Sequence, residues 1–175
     1  DASLYRVLPQ AVAQPRTVEE VLAVVDAARA VGMPVTTRGA GTSCAGNAVG
    51  SGLIVDTSRH LSSIREIDPE TAAARVEPGV VQSSLQRAAA EVGLRFGPDP
   101  STHNRCTIGG MIGNNACGPR ALSYGKTSDN VLAVEVITGA GERLILDHQS
   151  SNHDHHATLS ALKSIVQGTS APFAA

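Results

Sequence analysis

The chain has 175 residues, 42% of them hydrophobic and 17% charged, a balance that builds a globular core and excludes an intrinsically disordered segment. Its 14 basic and 16 acidic side chains leave a net charge of -2 with no basic block, which argues against a nucleic-acid surface. No apolar run approaches the roughly 20 residues of a transmembrane helix, and no secretory leader is recognisable. The chain contains no Trp, two Tyr and two Phe, so its core must be built from Val, Leu, Ile and Ala. Cys44, Cys106 and Cys117 lack metal-ligand spacing and read as reduced thiols, which points to the cytoplasm, and no metal site is expected. The start at Asp1 and the end in Ala-Pro-Phe-Ala-Ala both read as cuts in a longer protein.

In chain order, Thr17-Val-Glu-Glu20 is a capping box, with Thr17 as N-cap and Glu20 reaching back. Val18, Val21, Leu22, Val25 and Ala28 follow at helical spacing, Gly32 is placed as C′ and Pro34 stops the helix. Val35 to Arg38 and Leu53 to Asp56 read as strands around a Gly-rich loop at 39–52, and Ala73 to Glu77 reads as a third strand before the turn Pro78-Gly79. Leu85, Ala88, Ala89 and Val92 mark a second amphipathic helix closed by Gly93. The stretch from Gly97 to Lys126 is irregular, with a short helix expected near Gly110. Val131 to Thr138 and Arg143 to Leu146 form a hairpin around Gly139-Ala-Gly141. Leu159, Leu162 and Val166 suggest a last helix ending at Gly168, and a lobe boundary is expected near residues 57–70.

The segment Arg38-Gly-Ala-Gly-Thr-Ser-Cys-Ala-Gly-Asn47 follows a strand, and successive backbone N–H groups in such a loop form a concave nest for an anion. Gly39, Gly41 and Gly46 permit close approach to phosphate, Thr42 and Ser43 add hydroxyl donors, and Arg38 adds a positive charge. A P-loop is excluded because no Lys lies between residues 1 and 125, and the Gly positions 39, 41 and 46 do not fit the Rossmann pattern. The bland alternative for this loop alone is a Gly-rich surface turn. A second cluster, Gly97-Pro-Asp-Pro-Ser101 leading into Thr107-Ile-Gly-Gly-Met-Ile-Gly-Asn-Asn-Ala-Cys-Gly118, lets a planar ligand lie against backbone. Two such platforms suit a ligand with a pyrophosphate and a flat ring.

Pro15-Arg-Thr-Val-Glu-Glu20, Arg38-Gly-x-Gly-Thr-Ser, Val76-Glu-Pro-Gly-Val80, Pro98-Asp-Pro-Ser, Thr107-Ile-Gly-Gly, Tyr124-Gly-Lys and Asp129-Asn-Val occur in an order that resembles the FAD-binding domain of the vanillyl-alcohol oxidase and p-cresol methylhydroxylase superfamily. Within it the chain is most similar to the bacterial D-lactate and D-2-hydroxyglutarate dehydrogenases with an added iron–sulfur region. The resemblance implies an α+β fold over residues 1–146, of two α/β subdomains clasping FAD. Residues 147–175 would be a polar segment and short helix opening a following region, and any iron–sulfur cluster would lie beyond this chain.

It also implies roles. Arg38, Gly39, Ala40, Gly41, Thr42, Ser43, Gly46 and Asn47 would bind the pyrophosphate. Pro98, Asp99, Pro100 and Ser101 with Thr107, Ile108, Gly109 and Gly110 would line the isoalloxazine and ribityl portion, continued by Gly113 and Asn114. Pro78 and Gly79 would shape the nearby turn. Val131, Glu135 and Val136 would meet the adenine end. Thr42 stands where relatives with covalent flavin carry His, so non-covalent FAD is implied. The substrate would be a D-2-hydroxy acid oxidised to a 2-oxo acid by hydride transfer to the flavin, with the electron acceptor left open. The catalytic residues would come from a following cap domain, leaving this chain with weak FAD binding and no turnover. The competing readings are a flavin-free nucleotide-binding or interaction module, and an enolpyruvyl-sugar reductase-like FAD domain, against which Pro98-Asp-Pro-Ser speaks.

Four smaller signals stay open or bland. His148, His153, His155 and His156 with Asp147 and Asp154 read as a solvated loop before a zinc site. Cys106 and Cys117 read as small buried hydrophobes. Asp99 either tunes the flavin or caps a turn, and Arg120 and Lys126 either balance phosphate or sit in water.

Overall fold

The computed structural model describes residues 1–147 together with Ser160 and Ser164, both of which are helical. The expected helix over Leu159, Leu162 and Val166 to Gly168, and the cluster of His148, His153, Asp154, His155 and His156, lie outside the described residues.

Helix α1, Val18–Ala30, starts where Thr17 accepts a hydrogen bond from the Glu20 N–H at 3.2 Å. The Glu20 carboxylate reaches one residue further back than a capping box requires and accepts from the Arg16 N–H at 2.7 Å. At the other end the Gly32 N–H donates to Arg29 O and the Met33 N–H to Ala28 O, the paired bonds of a Schellman stop. Strand β1 is Ala11–Ala13, β2 is Val35–Arg38 and β3 is Leu53–Asp56. They form one parallel sheet in the order β1-β3-β2, with Ala11 and Val35 both opposite Leu53. The central strand β3 is buried along its whole length, which explains the apolar run Leu53-Ile54-Val55. Leu53 and Val55 pack with Ala28, and with the half-buried Ala13, Val24 and Met33, into a first apolar cluster.

Strands β4, Ile64–Asp68, and β5, Ala73–Val76, form an antiparallel pair. A register shift between Ile64 and Glu66 breaks the alternation of side chains. Ile64 and Ile67 therefore both pack, with Val76, on a second cluster of Val80, Leu85, Cys106, Ile108 and Met111. Helix α2, Gln82–Glu91, supplies Leu85, and α3, Ile108–Asn114, supplies Ile108 and Met111. Helix α3 begins two residues before the expected Gly110, because Thr107 is its N-cap. A single turn α4, Ala121–Tyr124, and a 3-10 turn at Thr127–Asn130 follow. Cys106 is buried as expected, and burial pushes its thiol pKa up, the signature of an inert core side chain. Cys117, expected to be buried, is exposed.

Asp1–Val131 with Gly139–Gly141 make one compact unit. The expected boundary region 57–70 falls inside it. The first apolar cluster draws on residues up to Val55 and the second on residues from Ile64 onward. The antiparallel hairpin of β6, Ala133–Ile137, and β7, Arg143–Asp147, belongs to a second unit.

Candidate functional site

The loop after β2 holds two residues in the left-handed region, Gly41 at φ 64° and Gly46 at φ 82°. Among the described residues, no backbone N–H from Gly39 to Gly46 donates to a protein acceptor. Eight consecutive donors are thus left to solvent or a ligand, the arrangement in which backbone amides receive an anion. A side chain on Gly41 would meet nothing closer than Arg38 Cδ at 3.5 Å, so the loop is open at that point.

Arg38 is not a free cation. It lies opposite Asp56 in the β2–β3 register and pairs with it at 3.4 Å. Burial raises the Asp56 carboxyl pKa, but the Ser58 hydroxyl and amide, with Arg38, outweigh burial and hold it below the ordinary value. A carboxylate depressed in the folded state stabilises the fold above its unfolded-state pKa, and that contribution is lost as pH falls through the folded-state pKa. Asp56→Asn is therefore expected to lower stability at neutral pH and to remove part of the loss of stability below about pH 4. Urea unfolding of both proteins at about pH 7 and about pH 3 measures this, and parallel losses in the two proteins would refute it.

The two Gly-rich segments meet. A side chain on Gly39 would fall onto Thr107 Oγ1, so Gly39 lies against the N-cap of α3. At the other end of that helix the Asn47 amide donates to Asn114 Oδ1 at 3.3 Å. The first turn of α3 is not an anion site, because its donors are spent. The Ile108 N–H donates to Val80 O and the Gly109 N–H to Pro78 O, both at 2.8 Å, and the Gly110 N–H donates to Thr107 Oγ1 at 3.4 Å. Gly109 itself packs against Pro78, where a Cβ would sit 2.7 Å from the proline Cβ. Gly113 has nothing within 4 Å, so the open part of the helix surface is its C-terminal half.

Pro98 is buried, and its carbonyl accepts from the Gln82 amide at 3.0 Å. Asp99 accepts from the Arg120 N–H at 3.4 Å and pairs with its side chain at 3.3 Å. Its observed role is thus at the start of α4, and Arg120 is engaged there; Lys126 is exposed. Asp99, Pro100 and Ser101 share a cavity of about 450 Å³ with Gln82, Gln86, Arg95, His103, Pro119 and Arg120. None of residues 38–47 or 107–114 lines it. Val131 closes the 3-10 turn, while Glu135 and Val136 lie on β6 in the second unit, with Glu135 paired to Arg143 across the hairpin. Among the described residues, no group of three His, Cys, Asp or Glu side chains is placed to hold a metal, and no helix is long and apolar enough to cross a membrane.

Residues not singled out from the sequence also belong to this region. The Ser43 hydroxyl, expected to face a ligand, donates to the Asp1 carboxylate at 3.1 Å, and Tyr5 packs on Gly46. Nothing in the spacing of Asp1 or Tyr5 signals these contacts, which join segments about 40 residues apart.

A profile of the FAD binding domain family matches residues 9–147. D-2-hydroxyglutarate dehydrogenase from Escherichia coli (strain K12) is 43% identical over 152 residues, covering 85% of this chain and 15% of that protein. Glycolate oxidase subunit GlcD from Bacillus subtilis (strain 168) is 37% identical over 139 residues, covering 79% of this chain and 30% of that one. The chain thus spans a small part of the curated relatives it matches. Among solved structures, 6-hydroxy-D-nicotine oxidase from Arthrobacter nicotinovorans superposes with a TM-score of 0.74 at 26% identity, over 83% of this chain and 32% of that one. Carbohydrate oxidase from Microdochium nivale shares the fold, with a TM-score of 0.74 at 22% identity over 83% of this chain and 31% of that one. The ordered Gly-rich segments, the α+β fold and the profile match converge: this chain belongs to the FAD binding domain family of the vanillyl-alcohol oxidase and p-cresol methylhydroxylase type.

Proposed function

We propose that this chain is the FAD-binding part of a flavoprotein oxidoreductase that converts a D-2-hydroxy acid, of the D-lactate or D-2-hydroxyglutarate type, to its 2-oxo acid. The observation that carries the reading is the run of eight backbone N–H groups from Gly39 to Gly46 without protein acceptors. When bound, FAD supplies the hydride-accepting ring. The chain's own residues hold it. Backbone amides of Gly39, Ala40, Gly41, Thr42, Ser43 and Gly46, with the Thr42 hydroxyl, receive the pyrophosphate oxygens. Arg38 contributes little net charge there, because Asp56 already balances it.

Thr107, Ile108, Gly109 and Gly110 serve mainly to fix α3 against Pro78 and Val80, so that Gly113 and Asn114 present an open wall. Pro98, Asp99, Pro100 and Ser101 border the isoalloxazine portion, and main chain at Val131, Glu135 and Val136 the adenine end. Residues 1–146 make the FAD domain. The division of its apolar core on either side of residues 57–63 supports two subdomains. The substrate-binding and proton-accepting residues belong to the part of the enzyme that the relatives possess beyond this length. Alone, the chain therefore binds FAD weakly and does not turn over. The free cysteines support a reducing cytoplasmic setting.

Thr42 offers no histidyl bond, so attachment is non-covalent. The test titrates purified chain into FAD, follows flavin fluorescence, and then precipitates the protein with acid. Saturable binding with all flavin released into the supernatant is expected. Flavin retained in the pellet would contradict the attachment, and no interaction with FAD would favour a flavin-free module on the same fold.

A further inference from the structure

We infer that residues Asp1–Tyr5 are a latch that holds the Gly41–Gly46 loop in its anion-receiving shape, with Asp1 as the positioning residue. The inference rests on the FAD reading above and deepens it. A loop that makes no hydrogen bonds through its own N–H groups has no ladder to fix it, and two of its residues sit at positive φ. Its shape must be imposed through other atoms, and beside the local bond from the Val49 N–H to Gly46 O at 3.3 Å three longer-range attachments do so. The Asn47 amide ties its far end to Asn114. The other two come from the N-terminal segment.

The first is a two-point grip on Ser43. The Ala2 N–H donates to Ser43 O at 2.9 Å, while the Ser43 hydroxyl donates to Asp1 Oδ2 at 3.1 Å. The other carboxylate oxygen accepts the Ser3 N–H at 3.0 Å and the Ser3 hydroxyl at 2.5 Å, so Asp1 is itself oriented. The Ser3 hydroxyl accepts in turn from the Tyr5 N–H at 3.1 Å. The second attachment is the Tyr5 ring, which lies so close to Gly46 that a Cβ there would sit 2.9 Å from ring Cδ2. Gripped at Ser43 and Gly46, the loop that carries the receiving amides is ordered before a ligand arrives, which removes an ordering cost from binding.

A simpler idea has the opposite sign. A carboxylate beside an anion nest repels a second anion, and its removal would then strengthen binding. The experiment measures FAD and ADP affinity for the 175-residue chain and for Asp1→Ala and Asp1→Asn, with thermal unfolding of each unliganded protein. Asp1→Ala is expected to weaken both ligands about tenfold while leaving the unfolding temperature unchanged. Asp1→Asn, which can still bridge Ser3 and Ser43, is expected to stay near wild type. Unchanged affinity in Asp1→Ala, tighter binding in both variants, or a loss explained by a lowered unfolding temperature would each overturn the latch. In those cases wild-type FAD binding would leave the functional reading standing. A wild-type chain that binds neither ligand overturns both.

Discussion

Gly41→Val is expected to abolish measurable FAD binding while the fold survives. Gly41 sits at φ 64°, a region that a β-branched residue enters only under strain of about 1–3 kcal/mol. Valine relieves that strain by turning the neighbouring peptides, which re-aims the amides that face the ligand. The fold has no reason to object. The nearest atoms to a Cβ at this position are Arg38 Cδ at 3.5 Å and Asp1 Cα at 3.7 Å, ordinary contact distances. Affinity should fall about a hundredfold or more, at 1.4 kcal/mol per decade. Flavin titration against a wild-type control, with circular dichroism to confirm folding, decides it. Unchanged affinity would remove the loop from the cofactor site.

Gly79→Ala should do the reverse, damaging the fold first. A Cβ on Gly79 would sit 2.6 Å from Leu61 O and 3.0 Å from Ser58 Cα, and would also press on Thr57 O. These are backbone atoms that no rotamer change can move, and the Gly79 N–H is bonded to Leu61 O at 2.7 Å. Overpacking of this kind costs about 3 kcal/mol, the upper end of the usual range. The corresponding drop in melting temperature is roughly 6–12 °C for a domain of this size. Gly113→Ala is the control, since it adds a methyl to a helix where nothing lies within 4 Å. Its melting temperature should equal or slightly exceed that of wild type. Equal losses in the two variants would show that close packing at Gly79 is not the cause.

The contrast between these glycines marks where sequence reading stops. Clustering showed that backbone must approach something closely, and it located both clusters. It did not say what is approached. Gly109 meets Pro78 and Gly39 meets Thr107, both parts of the chain itself, whereas a Cβ on Gly41 would make only ordinary contacts and Gly113 faces open space. Local signals fared well where a single period ruled. The apolar run Leu53-Ile54-Val55 of β3 and the cap and stop of α1 stand where their residues predicted. They failed where the period broke. Strand β4 escaped because its bulge puts Ile64 and Ile67 on one face, a spacing that does not read as a strand. Strand β1 is three residues of Ala and Val whose pairing with Leu53–Val55 is decided by tertiary contact. The engagement of Arg38 by Asp56 and of the Ser43 hydroxyl by Asp1 was equally hidden, since each depends on a partner distant in sequence.

The contact between Gly39 and Thr107 restricts which sequences can occupy this fold. The Thr107 hydroxyl fills the space that any side chain at 39 would need, and the same hydroxyl caps α3. A methyl at position 39 therefore calls for a residue at 107 without the hydroxyl, and such a residue gives up the cap. The two positions form a lock whose halves lie on different Gly-rich segments. Drift in one segment is vetoed by the other, so a lineage can change this junction only through a costly intermediate or a paired change.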